Sequence, residues 1–168
     1  VMLEIHQTLD AAFEAEAQAL ADVKQDAQAG RVFVWQAEGQ SLVAPRAMER
    51  QLAPGFAASA EEGWPCALRS TGGDVTPQGA RVINLTLTFR QVKSAADPIN
   101  AAYRSICTPI LAALEEQDVA ATTAAVEGSY CDGDFNVVVD GLKFAGTALR
   151  MTPAADGPES WAVLGHAM

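Results

Sequence analysis

Polar and apolar residues alternate cleanly over residues 81–90, where Ile83, Leu85, Leu87 and Phe89 fall on one face of an extended chain and Asn84, Thr86 and Thr88 on the other. This period of two predicts a strand with one core face and one polar face. Over residues 8–29 the period changes: Leu9, Phe13, Leu20 and Val23 recur at helical spacing among Ala, Glu and Gln, and Gly30 stands at the stop position. An amphipathic helix is expected there, followed by a strand over residues 31–35. Between residues 40 and 64 the pattern is irregular, with Pro45, Pro54 and Gly55 punctuating short helical pieces, and an apolar strand follows at 65–69. Residues 70–80 hold three glycines and a proline and read as a loop.

Asp97-Pro98 is a helix-start signal, because Asp can accept from the free amides of the first turn and Pro is tolerated there. Ile99, Tyr103, Ile106, Ile110 and Leu114 then mark a buried face, and Pro109 within it predicts a kink or a break into two pieces. Residues 122–126, 135–139 and 142–150 read as strands, the last two joined by the hairpin dipeptide Asp140-Gly141. A loop over 153–158 and a strand over 160–168 complete the pattern. This order suits an α+β or mixed α/β layer better than a regular doubly wound sheet.

Composition narrows the function classes. At 168 residues the chain fits a single domain over residues 1–168, burying about 70% of its unfolded surface. A net charge of -10 disfavours nucleic acid, whose phosphates need clustered Lys and Arg. No apolar run approaches the ~20 residues of a membrane helix, and no basic segment leads into an apolar one, so a soluble, cytoplasmic protein without a membrane partner is expected. Cys66, Cys107 and Cys131 form an odd set without C-x-x-C spacing, which indicates neither a disulfide framework nor a cysteine zinc site. His6 and His166 lie near opposite ends, so a triad with a His base requires the fold to bring one of them inward.

Two segments carry candidate chemistry. The loop from Arg69 through Ser70, Thr71, Gly72, Gly73 and Asp74 to Gly79 combines flexible backbone, hydroxyls and a cation. Gly72 and Gly73 would let a ligand approach main-chain amides, and Arg69 would pair with a carboxylate or phosphate; the alternative is a plain surface loop. The pattern matches neither the P-loop nor the dinucleotide-binding fingerprint. Lys143 follows the hairpin turn and precedes Phe144-Ala145-Gly146-Thr147-Ala148, whose small residues leave room beside the strand. There it would polarise an acyl carbonyl or bind a phosphate, or else be a solvated strand lysine. Cys131 lies in a loop with no cation or histidine adjoining it in sequence, an acyl acceptor or an ordinary thiol. Asp132 and Asp134 flank Gly133 without the remaining ligands of a calcium loop, so no metal site is assigned.

Taken together and in this order, the two glycine-bearing segments resemble the lipoate-protein ligase and octanoyltransferase family, which shares the biotin/lipoate ligase-like catalytic domain. Residues 69–84 resemble the family's Arg, Ser/Thr-Gly-Gly loop running to a Leu-Asn pair, with ungapped spacing from Thr71 to Asn84. Asp140-Gly141-Leu142-Lys143-Phe144-Ala145-Gly146-Thr147-Ala148 resembles the motif that carries the family's lysine. Weaker likeness extends to the N-terminal helix, Val34-Trp35 and Phe135-Asn136.

The resemblance implies a mixed sheet flanked by helices and attachment of lipoate or octanoate, in amide linkage, to a lysine of a lipoyl domain. It implies catalytic roles for Lys143 and, in the transferase branch, for a loop cysteine such as Cys131. Substrate-binding roles are implied for Arg69, Thr71, Gly72, Gly73, Gln78, Asn84, Asn136, Gly146 and Thr147. Ligases of the family use ATP and Mg2+, whereas transferases draw on acyl carrier protein or another lipoyl domain.

The chain departs from the pattern at Asp74, where ligases have a third glycine, at Gln78, where both branches have His, and at Ser70, where a second arginine is usual. An aspartate there would repel an adenylate, which favours transfer over ATP-dependent ligation. The arginine-dense segment of the biotin branch is absent. The family usually continues beyond the strand that ends this chain, so the expectation is either an incomplete C-terminus or a protein that lacks the part closing over an adenylate. A non-catalytic relative that binds an acyl chain or a lipoyl domain, and an unrelated small-molecule enzyme on the same scaffold, are the alternative readings.

Overall fold

The computed structural model describes residues 2–3, 8–92, 97–157 and 159–168; His6 lies outside them. Its main sheet has five strands in the order β1 (Met2–Leu3), β2 (Arg31–Trp35), β6 (Asn84–Val92), β11 (Ser160–Ala167) and β10 (Thr147–Pro153). The β1–β2 pair is parallel and the other pairs are antiparallel. Two three-stranded sheets adjoin it: β3 (Ser41–Pro45) between β4 (Cys66–Arg69) and β5 (Thr76–Gln78), and β8 (Asn136–Val139) between β7 (Ala121–Ala124) and β9 (Leu142–Ala145). The class is the mixed α/β layer the pattern predicts.

Helices cover both faces of the central sheet. Helix α1 (Leu9–Gln25), capped by the Thr8 hydroxyl accepting from Ala11 N, packs on β6 and β11. Its buried face is Ala12, Glu16, Ala19 and Val23, whereas the larger Leu9, Phe13 and Leu20 flank it half-buried. Helix α3 (Pro98–Glu115) packs on the opposite face, where Ile106 meets Leu87 and Ala167. Burying a side chain of that size contributes about 1.5–3 kcal/mol. The same helix reaches the β7–β9 sheet through Cys107, Val137 and Ala145.

This double cover changes the reading of β6. Asn84, Thr86 and Thr88, on the expected polar face, are buried beneath α1, and Ile83 on the expected core face is 65% exposed. Side-chain hydrogen bonds make the burial tolerable: Trp35 Nε1 donates to Thr86 Oγ1 (2.9 Å), which donates to Glu16 Oε1 (2.7 Å).

Other expectations shift in detail. Residues 40–64 form β3 and then α2 (Glu49–Glu61), a thirteen-residue helix that contains Pro54. Helix α3 runs through Pro109 as one element; the carbonyl that this proline leaves unpaired on the ladder belongs to Ser105, whose own hydroxyl donates to Ala101 O. Asp97 caps it as expected, accepting from Asn100 N at 3.1 Å, but Ile99 of the expected buried face is 54% exposed. The strand expected over 142–150 divides at Gly146, where the chain leaves the β9 hairpin and joins the main sheet. Gly146 exchanges two backbone hydrogen bonds with Met168, of 2.8 and 3.0 Å.

Candidate active site

The site forms where the three sheets meet. At the end of β4, Arg69 is buried and its guanidinium donates to Val43 O (3.0 Å), Thr76 Oγ1 (3.3 Å), Gly72 O (2.8 and 3.2 Å) and Asp74 O (2.7 Å). Five contacts to one loop and two strands make this arginine the frame on which the glycine loop is wrapped. Burial lowers its hold on the proton, and the nearby charges of Cys131, Asp74 and Glu16 oppose that change. Gly73 has φ of +98°, and a Cβ there would lie 2.9 Å from Arg69 Nη2 and 3.1 Å from Cys131 Sγ. The glycine thus lets the loop close over the guanidinium and the thiol together.

Lys143 is delivered by the hairpin. Asp140 and Gly141 both take positive φ, 50° and 77°, the pairing that a tight two-residue turn demands. A register shift between Val137 and Val138 then opposes Val138 to Lys143 and Val137 to Ala145, leaving Phe144 as an extra, exposed residue. Such bulges re-aim side chains. Here Lys143 folds back over Gly146, where a Cβ would lie 2.9 Å from its Cε and 3.1 Å from Nζ. Nζ donates to Tyr130 O (2.6 Å) and Cys131 O (3.1 Å) and sits 4.8 Å from the Tyr130 ring centre. Burial pulls its ammonium below the ordinary lysine range, and the charges of Cys131 and Asp132 pull the other way.

Cys131 itself has φ of 54°, a left-handed conformation uncommon for a residue other than Gly, Asn or Asp. Its loop is pinned by Asp132 accepting from Val126 N (2.6 Å) and by the Lys143 contacts. The fold brings two basic side chains to this loop: Arg69 from β4, which meets Gly73 together with Cys131 Sγ, and Lys143 from the hairpin, which holds the Cys131 carbonyl.

A narrow, mostly apolar pocket gathers Arg69, Gln78, Cys131, Lys143, Gly146 and Thr147, with Val43, Ala148 and Met168 on its apolar wall. Six of the residues singled out by sequence therefore share one cavity. The others stand behind it. Gly72 N donates to Leu149 O (3.3 Å), Asn84 pairs with Gln78, and Thr71 and Asn136 are buried with Thr71 Oγ1 and Asn136 Nδ2 lacking a hydrogen-bond partner among the described residues. Thr147 Oγ1 donates to Phe135 O (2.7 Å).

Sequence reasoning missed Tyr130 and left His166 conditional on the fold bringing it inward. The histidine is brought inward on β11, lines the pocket and is 4% exposed. A polar side chain within the apolar run Ala162-Val163-Leu164-Gly165-His166-Ala167 was the available signal. Among the described residues no group of three or more His, Cys, Asp or Glu side chains could hold a metal ion.

Residues 9–155 match the lipoyl protein ligase A/B catalytic domain, and the chain belongs to that family. Among its relatives, a protein of uncharacterised function from Cupriavidus necator is 36% identical over 147 residues, covering 80% of this chain and 57% of the relative. An octanoyl-[GcvH]:protein N-octanoyltransferase from Kyrpidia tusciae is 36% identical over 87 residues, covering 52% of this chain and 30% of the relative. The chain therefore spans about half the length of the first of these relatives and about a third of the second. In fold it is similar to the bipartite lipoate protein ligase of Thermoplasma acidophilum, with a TM-score of 0.72 at 16% identity over 99% of this chain and 59% of that one.

Proposed function

We propose that this chain carries the catalytic core of an octanoyltransferase that passes an octanoyl or lipoyl group to a lysine of a lipoyl domain through a thioester on Cys131. The observation that carries the reading is the meeting of Cys131 and Lys143 in one apolar-walled pocket, each beside a glycine whose missing side chain leaves it room. In the first half-reaction Cys131 Sγ adds to the carbonyl carbon of an acyl-lysine amide on a donor domain. The C–N bond breaks, the amine leaves with the thiol's proton, and the acyl group remains as a thioester. In the second, the acceptor lysine amine adds to the thioester carbon, the C–S bond breaks, and sulfur regains the proton the amine gives up.

Lys143 serves both halves. An ammonium has three N–H donors; two hold the carbonyls of Tyr130 and Cys131, and the third is left for the acyl oxygen as negative charge develops on it. The apolar wall of Val43, Ala148 and Met168 suits the acyl chain.

An ATP-dependent ligase is the second reading. Asp74 disfavours it, because its carboxylate stands exposed on the loop that would face the adenylate, accepting from Val75 N. The test is the intact mass of a lipoyl domain incubated with this chain and, in parallel, octanoylated carrier domain, octanoyl-acyl carrier protein, or octanoate with ATP and Mg2+. Gain of one octanoyl group from a carrier, without ATP, is expected. Gain only from free octanoate and ATP would establish the ligase, and no gain from any donor would leave a binding protein.

A further inference from the structure

A chain of buried polar groups runs from α1 to the pocket, and nothing in the acyl transfer just described uses its first two members. Glu16, 2% exposed, accepts from Thr86, and its Oε1 lies 3.1 Å from His166 Nδ1. His166 Nε2 lies 2.9 Å from Asn84 Oδ1. Asn84 and Gln78 form a reciprocal amide pair, Gln78 Nε2 donating to Asn84 Oδ1 (2.8 Å) and Asn84 Nδ2 to Gln78 Oε1 (3.2 Å). The second hydrogen of the Gln78 amide points to Met168 Sδ at 3.5 Å, and both Gln78 and Met168 line the pocket.

The protons follow from these contacts. A carboxylate 3.1 Å from Nδ1 and a carbonyl oxygen 2.9 Å from Nε2 both require N–H, because a ring lone pair in either place would face another lone pair. Burial pushes the Glu16 carboxyl up, but the His166 charge and hydrogen bonds from His166, Thr86 and Trp35 outweigh it and hold the group below its ordinary range. The contacts thus set the Glu16 carboxylate against His166 Nδ1 and the Asn84 carbonyl against Nε2.

We infer that Glu16 and His166 are positioning residues for acyl transfer: by keeping a proton on His166 Nε2 they fix the Asn84 and Gln78 amides so that Gln78 presents an N–H, not a carbonyl, to the pocket. Without that proton, Asn84 gains by turning its NH2 toward His166. Gln78 must then turn as well to keep the pair, and its carbonyl faces the pocket. A thioether is a weak acceptor, so an acyl oxygen displaces Met168 Sδ from the Gln78 N–H at little cost, and the donor acts beside Lys143 as charge develops. The inference rests on the transferase reading above.

Two measurements on the full chain test it. The chain has two histidines, so 15N-histidine spectra of the wild type and His166→Gln isolate the His166 ring. Protons on both ring nitrogens at neutral pH are expected, and an unprotonated Nε2 overturns the inference with no acyl donor involved. The second is the rate at which an octanoyl thioester acylates Cys131, followed by intact mass. Gln78→Met, which keeps the length and removes the donor, should lower kcat about a hundredfold with KM little changed, and His166→Gln should lower kcat in the same way. Wild-type kcat in Gln78→Met overturns this inference alone. Failure of the wild type to be acylated overturns the transferase reading and this inference with it.

Discussion

At the residue scale the site depends on what glycines omit. A Cβ at Gly146 collides only with the end of the Lys143 side chain, which is flexible enough to move. Gly146→Ala should therefore leave the urea midpoint nearly unchanged while lowering acyl transfer about tenfold to a hundredfold, the range for a displaced catalytic group. Equal losses of stability and rate would show that Gly146 serves folding instead. The three thiols are set apart by environment as well. Cys107 is 1% exposed and burial pushes it up to about 11, whereas Cys66 and Cys131 are part-exposed. Brief alkylation at neutral pH, mapped by peptide mass, should modify Cys66 and Cys131 and spare Cys107.

At the element scale, α3 approaches β11 so closely at Gly165 that an added methyl group would overlap Ile106. Gly165→Ala should cost about 1–3 kcal/mol by overpacking, read as a lower urea midpoint. Asp97→Ala should cost about 1 kcal/mol through loss of the cap. The alternation in β6, the Asp140-Gly141 turn and the Asp97-Pro98 start were legible in the sequence because each rests on local geometry. Which face of β6 lies deeper was not, because Asn84, Thr86 and Thr88 read only as a polar face until α1 is seen to cover them. Glu16 was hidden for the same reason: one glutamate among Ala, Glu and Gln carries no sign that it alone turns inward. The site followed the same division. Lys143 and the Gly72-Gly73 loop stand in contiguous motifs, whereas His166 and the Arg69–Cys131 approach come from strand pairing across the whole chain.

At the scale of the molecule, the buried Glu16–His166 pair ties stability to pH. The folded state holds the Glu16 carboxyl below its ordinary value of 4.5, so the unfolded state takes up its proton first. The contribution is complete above 4.5 and is lost as pH falls through the depressed folded value. The wild-type denaturation midpoint should fall on acidification through that window, with a shallower fall in Glu16→Gln. The same molecule-wide arrangement brings a β4 arginine, a hairpin lysine and a loop cysteine to one pocket, and this convergence is the basis of the proposed chemistry. It is tested most directly by exposing the chain to an octanoylated donor domain without acceptor and locating the acyl group by peptide mass, with and without hydroxylamine. An octanoyl group on Cys131 that hydroxylamine removes, absent in Cys131→Ser and slow to form in Lys143→Ala, is the predicted result. Full acyl transfer to a lipoyl domain by Cys131→Ser, with no acyl group on the chain, would contradict the account.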